Sequence, residues 1–373
     1  MNNNTEAVSI IGTGLYTPGE SVTNEELVHA FNSYVQQYNS AYADEIESGE
    51  LRALEASSTE FIEKASGIHS RYVMNRSGIV DPDRMCPELP DRSNDEHSIQ
   101  CEMSVSAAQQ AMDQAGIAAG EIDAVIVACS NLQRPYPAVA VEVQAALGID
   151  GYAFDMNVAC SSATFGIQTG VDAIRNNSAR TVLMVNPEIC SGHLNFRDRD
   201  SHFIFGDACT AVILRTGDSA GYRILGSRLK TVYSNNIRNN FGFLNRGDKS
   251  GVGAVDKLFV QNGRKVFKEV CPMVAEQIVQ HLSDLGISNQ DCKRMWLHQA
   301  NLSMNQLVSK RVLGREATAE EAPVILDRYA NTSSAGSIIA FHLHNEDLSS
   351  GEVGVICSFG AGYSVGSVIV QKN

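Results

Sequence analysis

Apolar residues along the chain fall into two patterns. Short continuous runs, Val125-Ile126-Val127-Ala128 and Val182-Leu183-Met184-Val185, leave no polar position on either face, which predicts strands buried on both sides. Other stretches carry apolar positions at helical spacing. Residues 24–64 open on the capping-box pattern Thr23-x-x-Glu26, and Leu27, Phe31, Tyr34, Val35 and Tyr38 then predict an amphipathic helix. Strands alternating with helices predict an α/β architecture with helices covering sheets.

The pattern repeats. AAQQAMDQAGI (107–117) and AEQIVQHLSDLGI (275–287) both read as helices closed by a glycine, Gly116 and Gly286. Each is followed by a strand-like run, Ile122–Cys129 and Arg294–Leu297. An Asn-Leu pair comes next, Asn131-Leu132 and Asn301-Leu302, then a helix ending in Leu-Gly. FDMNVAC (154–160) and ILDRYAN (325–331) then lead into small-residue helices. The offset is 170 at Gly116/Gly286 and Asn131/Asn301 and 171 at Cys160/Asn331. The chain is therefore expected to be two similar halves, 1–217 and 218–373. Cys160 and Asn331 should stand at equivalent points, each opening a helix after a buried strand, where α/β folds place chemistry.

Two segments stand outside the repeat, near 33–58 and 75–98. The second is polar, turn-rich and proline-bearing, and a connection of that length is a lid, an interface loop or mobile. The 373 residues exceed what one core supports, in agreement with two halves. With 29 basic against 43 acidic side chains the net charge is −14, which disfavours nucleic acid and requires a local basic patch for any acidic ligand. No apolar stretch approaches the roughly 18 residues of a membrane span. Met1-Asn2-Asn3-Asn4-Thr5-Glu6 shows no signal peptide. Nine cysteines without a CxxC pair, several inside apolar runs (Cys129, Cys209, Cys357), suggest reduced thiols, a cytoplasmic setting and no metal cluster.

Three residues carry candidate chemistry. Cys160, in Asn157-Val158-Ala159-Cys160-Ser161-Ser162, sits at a strand-to-helix turn, where the positive end of a helix dipole favours thiolate. His298 ends Met295-Trp296-Leu297 and opens HQANL; Asn331 lies in YANTSSAGS. Taken singly, a buried structural cysteine, a core histidine and a helix cap are the blander readings. Together they place two neutral hydrogen-bond donors opposite a nucleophile, as a site that holds a negative oxygen requires. Gly360-Ala361-Gly362 follows an apolar run, but only a strand-like stretch, Tyr363–Val370, comes after it. A dinucleotide site is excluded there, and backbone amides closing an oxyanion hole are the alternative. His342-x-His344 has no further ligands nearby and reads as a core or helix-face contact.

Cys160, HQANL, YANTSSAGS and the terminal FGAGYSVGS resemble β-ketoacyl-(acyl-carrier-protein) synthase III of the thiolase superfamily. The likeness runs through IIGTGLYTP (10–18), SGIHSR (66–71), FGDACTAVIL (205–214) and VFK (266–268), so it spans nearly the whole chain. It implies a duplicated thiolase-like fold, layered α-β-α-β-α, and no metal or redox cofactor. It also implies acyl transfer from an acyl-thioester primer, such as acyl-CoA, to Cys160, then decarboxylative condensation with malonyl-acyl-carrier-protein to start an acyl chain. His298 and Asn331 would stabilise the enolate, and the N–H groups of Cys160 and Ala361 would hold the oxyanion. The resemblance assigns Tyr136 and Phe359 to the acyl pocket, Tyr136 reaching across a homodimer. It assigns Phe61 and Arg71 to coenzyme A, and Lys268, Lys310 and Arg311 to carrier-protein docking. Phe61 stands where many members carry a tryptophan, and Gly192 where an arginine often completes the adenine sandwich. These departures and the two insertions suggest a medium-chain or otherwise unusual primer.

Two rivals remain at this level. Thiolases, and acyl-CoA condensing enzymes of secondary metabolism, share the fold. Thiolases use a second cysteine and a Gly-His-Pro segment, and here Cys357 is one residue too far from Gly360 and the histidine motif is missing. A silent partner subunit is the other, although such proteins usually lose the nucleophile.

Overall fold

The buried runs at 125–128 and 182–185 form β4 (Ala124–Ala128) and β6 (Thr181–Ile189), every residue of the first and all but the last of the second buried. They belong to one wing of a nine-stranded sheet, with β1 (Val8–Tyr16), β5 (Tyr152–Met156) and β7 (Asp207–Thr216). The other wing holds β8 (Tyr222–Ser234), β11 (Cys292–Leu297), β12 (Val353–Gly360) and β13 (Gly362–Lys372). The order is β11-β12-β13-β8-β1-β7-β6-β4-β5. Among the described residues the strands of the two wings pair at Ser9–Arg223 and Ile10–Tyr222. This computed structural model describes residues 6–217, 220–249, 251 and 257–373. The start of the chain and the expected boundary at 218 lie outside the described residues.

The duplication is visible in the pairing. In one wing β4 runs parallel to β6, which is antiparallel to β7, itself antiparallel to β1. In the other, β11 is parallel to β12, β12 antiparallel to β13, and β13 antiparallel to β8. The helices repeat too. α5 (Ile99–Ala115) and α6 (Val139–Leu147) cover the first wing; α8 (Gly263–Asp284) and α9 (Leu302–Leu313) cover the second. Gly116 and Gly286 are left-handed at φ +64° and +71°, and Gly148 and Gly314 at +68° and +73°, backbone that glycine adopts without a Cβ penalty.

Between the wings lie α7 (Ser162–Arg175) and α11 (Ala335–Leu343). Their apolar side chains share one core with Ile126, Val182 and Met184 of one wing and Trp296, Ile356 and Val368 of the other. The layering is thus α-β-α-β-α, as expected of a duplicated thiolase-like fold. One expectation fails. Asn331 does not follow a strand: ILDRYAN forms the short helix α10 (Leu326–Tyr329) where its counterpart forms β5. The main chain there is used elsewhere, His69 donating to the Asp327 carbonyl, and Tyr329 packs on Tyr72 rather than joining the sheet edge.

The remaining elements form a cap. The capping box at Thr23 opens α1 (Asn24–Ala41), whose Leu27, Phe31 and Val35 are buried as predicted. Next come α2 (Ala43–Glu47), α3 (Thr59–Ser66) and α4 (Ser77–Val80). β2 (Glu20–Thr23) pairs with β3 (Ser70–Val73), and β9 (Ile237–Asn239) with β10 (Phe259–Gln261). The two extra segments meet: Gln37 bonds Asp83, and Arg197 lies over the Tyr34 ring while donating to the Asp83 carbonyl. No helix among the described residues is long and apolar enough to cross a membrane.

Candidate active site

Cys160 arrives from β5 through a tight turn. Ala159 has φ +48°, a left-handed conformation unusual for a residue with a Cβ, and its N–H is held by the Asn157 side chain at 2.8 Å. Ser162 braces the same turn, accepting from Val158 N and donating to the Ala159 carbonyl. Asn331 arrives in a matching way. Ala330 before it has φ +53°, and the Asn331 main chain pairs with the segment leading into β7, to the Ile204 carbonyl and from Gly206 N. Its Oδ1 accepts from Ser333 N at 2.8 Å, so Nδ2 is the amide atom left to donate. His298 caps β11, its N–H bound to the Cys357 carbonyl at 2.7 Å and its ring edge-on to Phe359 at 5.2 Å.

One cavity of about 570 Å³ brings the three together. Cys160, His298 and Asn331 line it with Phe359 and Gly360, and Phe203, Phe205, Phe259 and Met304 give it an apolar wall. Gly360 is required by proximity: a Cβ there would stand 2.6 Å from Cys160 Cβ and 3.0 Å from its sulfur. The Ser333 hydroxyl donates to Cys160 Sγ at 3.5 Å.

The thiolate expectation is corrected. Helix α7 begins at Ser162, and burial pushes the Cys160 thiol up to about 11. The Ser333 hydroxyl and the main-chain N–H groups of Ala361 and Cys160 oppose this but do not overcome it, and the buried Glu188 adds to the rise. Burial pulls His298 down to about 4, so at neutral pH its imidazole is neutral. The resting pair is a neutral thiol and a neutral imidazole, the latter with one N–H donor and one acceptor. The main-chain N–H groups of Ala361 and Cys160 are directed at the sulfur.

The other expected residues divide. Phe359 lines the cavity. Tyr136 does not: it is 82% exposed on the surface of this chain. Arg71 is a correction. It is 1% exposed on β3, and its guanidinium binds the Val22 and Phe203 carbonyls and Asn24 Oδ1. Burial lowers it to about 9, and it does not line the cavity; SGIHSR does not reveal which face of a four-residue strand points inward. Phe61 lies on α3, its ring covered by the Arg199 guanidinium at 4.1 Å. Arg199, in NFRDRD, thus stacks directly on Phe61. Lys268, on α8, and Lys310 and Arg311, on α9, are exposed on two packed helices, with Lys310 paired to Glu316.

His342 bonds Thr13 at 2.8 Å, a core contact as read. Gly360-Ala361-Gly362 is the tight link between β12 and β13, and no helix follows it. Among the described residues one group has a metal-like spacing, His97, Cys101 and Glu142, with ligand atoms within 4.8 Å of one another. The Arg134 guanidinium already stands 2.7 Å from that carboxylate and supplies the positive charge a cation would. Sequence reasoning missed Ser333, Glu188 and Arg199; YANTSSAGS contained the first without a pattern to single it out.

Residues 154–232 match the family described as 3-Oxoacyl-[acyl-carrier-protein (ACP)] synthase III, and residues 282–372 match its C-terminal part. A β-ketodecanoyl-[acyl-carrier-protein] synthase of Pseudomonas aeruginosa is 66% identical over 350 residues, covering 93% of this chain and all of that one. A β-ketoacyl-[acyl-carrier-protein] synthase III of Clostridium perfringens is 30% identical over 370 residues, 98% of this chain and 99% of the other. The fold is shared with the crystal structure of 3-oxoacyl-[acyl-carrier-protein] synthase III from Aquifex aeolicus, with a TM-score of 0.76 at 23% identity over 98% and 99% of the two chains. The chain belongs to the 3-oxoacyl-(acyl-carrier-protein) synthase III family of condensing acyltransferases.

Proposed function

We propose that this enzyme condenses a medium-chain acyl primer with malonyl-acyl-carrier-protein, Cys160 carrying the acyl group and His298 and Asn331 serving the malonyl thioester. The observation that carries this reading is the convergence of these three side chains on one cavity with an aromatic and aliphatic wall. Nucleophile and donors come from the two halves, 1–217 and 218–373.

In the first step the Cys160 sulfur attacks the primer's thioester carbonyl, and the carrier thiol leaves as the acyl–sulfur bond forms. The Cys160 proton ends on the departing carrier sulfur, and His298 is kept for the second step. The N–H groups of Cys160 and Ala361 hold the oxyanion. In the second step the malonyl carboxylate leaves as CO2. Negative charge then moves onto the thioester oxygen, where His298 N–H and Asn331 Nδ2 donate, and the carbanion attacks the acyl-Cys160 carbonyl, expelling the Cys160 thiolate, which takes a proton from solvent. Both donors are neutral at pH 7, so they stabilise a developing charge without first pairing with a ground-state carboxylate.

The relative at 66% identity supports an eight-carbon primer. A β-ketodecanoyl product is an eight-carbon acyl group lengthened by the two carbons that decarboxylated malonyl leaves, and the apolar wall suits such a chain. Coenzyme A is the candidate carrier, with Phe61 and Arg199 at its adenine end. Exposed Lys268, Lys310 and Arg311 are the candidate docking cations for an acidic carrier protein. Exposed Tyr136 is the candidate contact to a partner in a homodimer, and the reading takes the enzyme as cytoplasmic. Intact mass after incubation with acyl-CoAs of two to fourteen carbons tests the reading: the adduct should form fastest near eight carbons and be absent in Cys160→Ala. A preference for acetyl groups would remove the medium-chain assignment.

A further inference from the structure

Glu188, near the end of β6, is 1% exposed and lies beneath the cavity, absent from its lining. Its partners are neutral donors from both halves of the chain. Oε1 accepts from Ser130 N at 2.9 Å, from Ser334 N at 3.1 Å and from the Ser334 hydroxyl; Oε2 accepts from the Ser130 hydroxyl at 2.5 Å. Burial pushes the carboxyl up and these donors oppose it.

Each serine leads to one reacting side chain. The Ser130 carbonyl accepts from Asn157 Nδ2 at 2.7 Å, and Asn157 Oδ1 holds Ala159 N, one residue before Cys160. Ser334 follows Ser333, whose N–H orients the Asn331 amide and whose hydroxyl donates to Cys160 Sγ. Ala159, Ala330 and Ser333 all hold left-handed φ values without being glycine, so both turns depend on their surroundings to keep their shape.

On the condensing reading above, we propose that Glu188 is a positioning residue: one carboxylate ties the turn that carries Cys160 to the turn that carries Asn331 and sets the spacing of thiol and amide. The anchor works through acceptor geometry rather than charge. Glu188→Gln keeps Oε1 for both main-chain N–H groups, while its Nε2 donates to a rotated Ser130 hydroxyl. Glu188→Leu has similar bulk and takes the carboxylate from both main-chain N–H groups and the Ser130 hydroxyl, while the Ser334 hydroxyl keeps the Ala128 carbonyl at 3.2 Å.

The test is steady-state condensation with a medium-chain acyl-CoA and malonyl-carrier protein, alongside intact-mass measurement of the acyl-enzyme and thermal melting of each variant. Glu188→Gln should stay within about 5-fold of wild-type kcat. Glu188→Leu should lose about 100-fold in kcat with KM for the malonyl substrate within about 3-fold, the pattern of misplaced reacting groups rather than lost binding. Ser334→Ala keeps the Ser130 arm and one N–H anchor. It should lower kcat about 10-fold while the acyl-enzyme still forms. Glu188→Gln as impaired as Glu188→Leu, or a folded Glu188→Leu with wild-type kcat, overturns the proposal. If Glu188→Leu does not fold, Ser334→Ala decides, and wild-type turnover there overturns it. Wild-type protein that forms no acyl-enzyme speaks against the condensing reading instead, so the two failures are distinguishable.

Discussion

At the scale of single residues, the site is built by close approach and by strained turns. A left-handed non-glycine residue costs on the order of 1–3 kcal/mol, and Ala159, Ala330 and Ser333 all flank reacting groups. Gly360 makes the complementary point, since its missing side chain is the space the Cys160 sulfur occupies. Gly360→Ala should therefore slow acyl-enzyme formation by at least about 10-fold, because a displacement near 1 Å suffices for such losses. Time-resolved intact mass is the check, and an unchanged rate would show that the thiol has room to spare. Cys160, His298 and Asn331 were legible in the sequence because each sits in a distinctive string. Arg71 was misassigned because a four-residue strand gives no periodicity long enough to tell its buried face. Glu188 was not legible at all, since its partners Ser130 and Ser334 are common residues far from it along the chain.

At the scale of elements, the close packing of α7 against β13 transmits the fold to the site. A Cβ on Gly366 of β13 would stand 2.1 Å from Thr164 Oγ1 on α7, four residues after the nucleophile. Gly366→Ala should destabilise the protein by roughly 1–3 kcal/mol, the usual cost of overpacking a filled core. A lower denaturant midpoint with the Cys160 adduct still formed is the expected result. An unaltered midpoint would mean that the central layer yields more than its packing implies. Helices and buried strands were legible from periodicity, and the 170-residue offset exposed the duplication. The α10 segment was not, because the choice between strand and helical turn was made by tertiary contacts, His69 with Asp327 and Tyr72 with Tyr329, rather than by local pattern.

At the scale of the whole molecule, charge and protonation set the working range. His193, His202, His281 and His298 are each held near 4 by burial, against 6.5 in an open chain. Between those values the unfolded chain binds more protons than the folded one, so stability rises with pH across the window and falls as pH drops from 6.5 toward 4. Asp207, raised to about 6 by burial, opposes this with the reverse sign between 3.8 and 6, and Glu188 and Asp155 are raised in the same sense, while burial lowers His342 and His344 as well and adds to the histidine side. Denaturant unfolding at pH 7.5 and 5.5 should show the lower stability at 5.5, and equal stability would contradict the buried neutral histidines. The −14 net charge makes the exposed cations on α8 and α9 a local exception rather than the rule.

The central claim is a covalent acyl-Cys160 followed by decarboxylation assisted by His298. The most direct measurement follows both halves together: intact mass of the acyl-enzyme and CO2 release from labelled malonyl-carrier protein, in wild type and in His298→Ala. The account predicts one CO2 per β-ketoacyl product in wild type. In His298→Ala it predicts an acyl-enzyme that still accumulates on Cys160 while CO2 release falls about 100-fold or more. Condensation that proceeds on acyl-CoA alone without malonyl substrate, or a His298→Ala protein that decarboxylates at the wild-type rate, would contradict it.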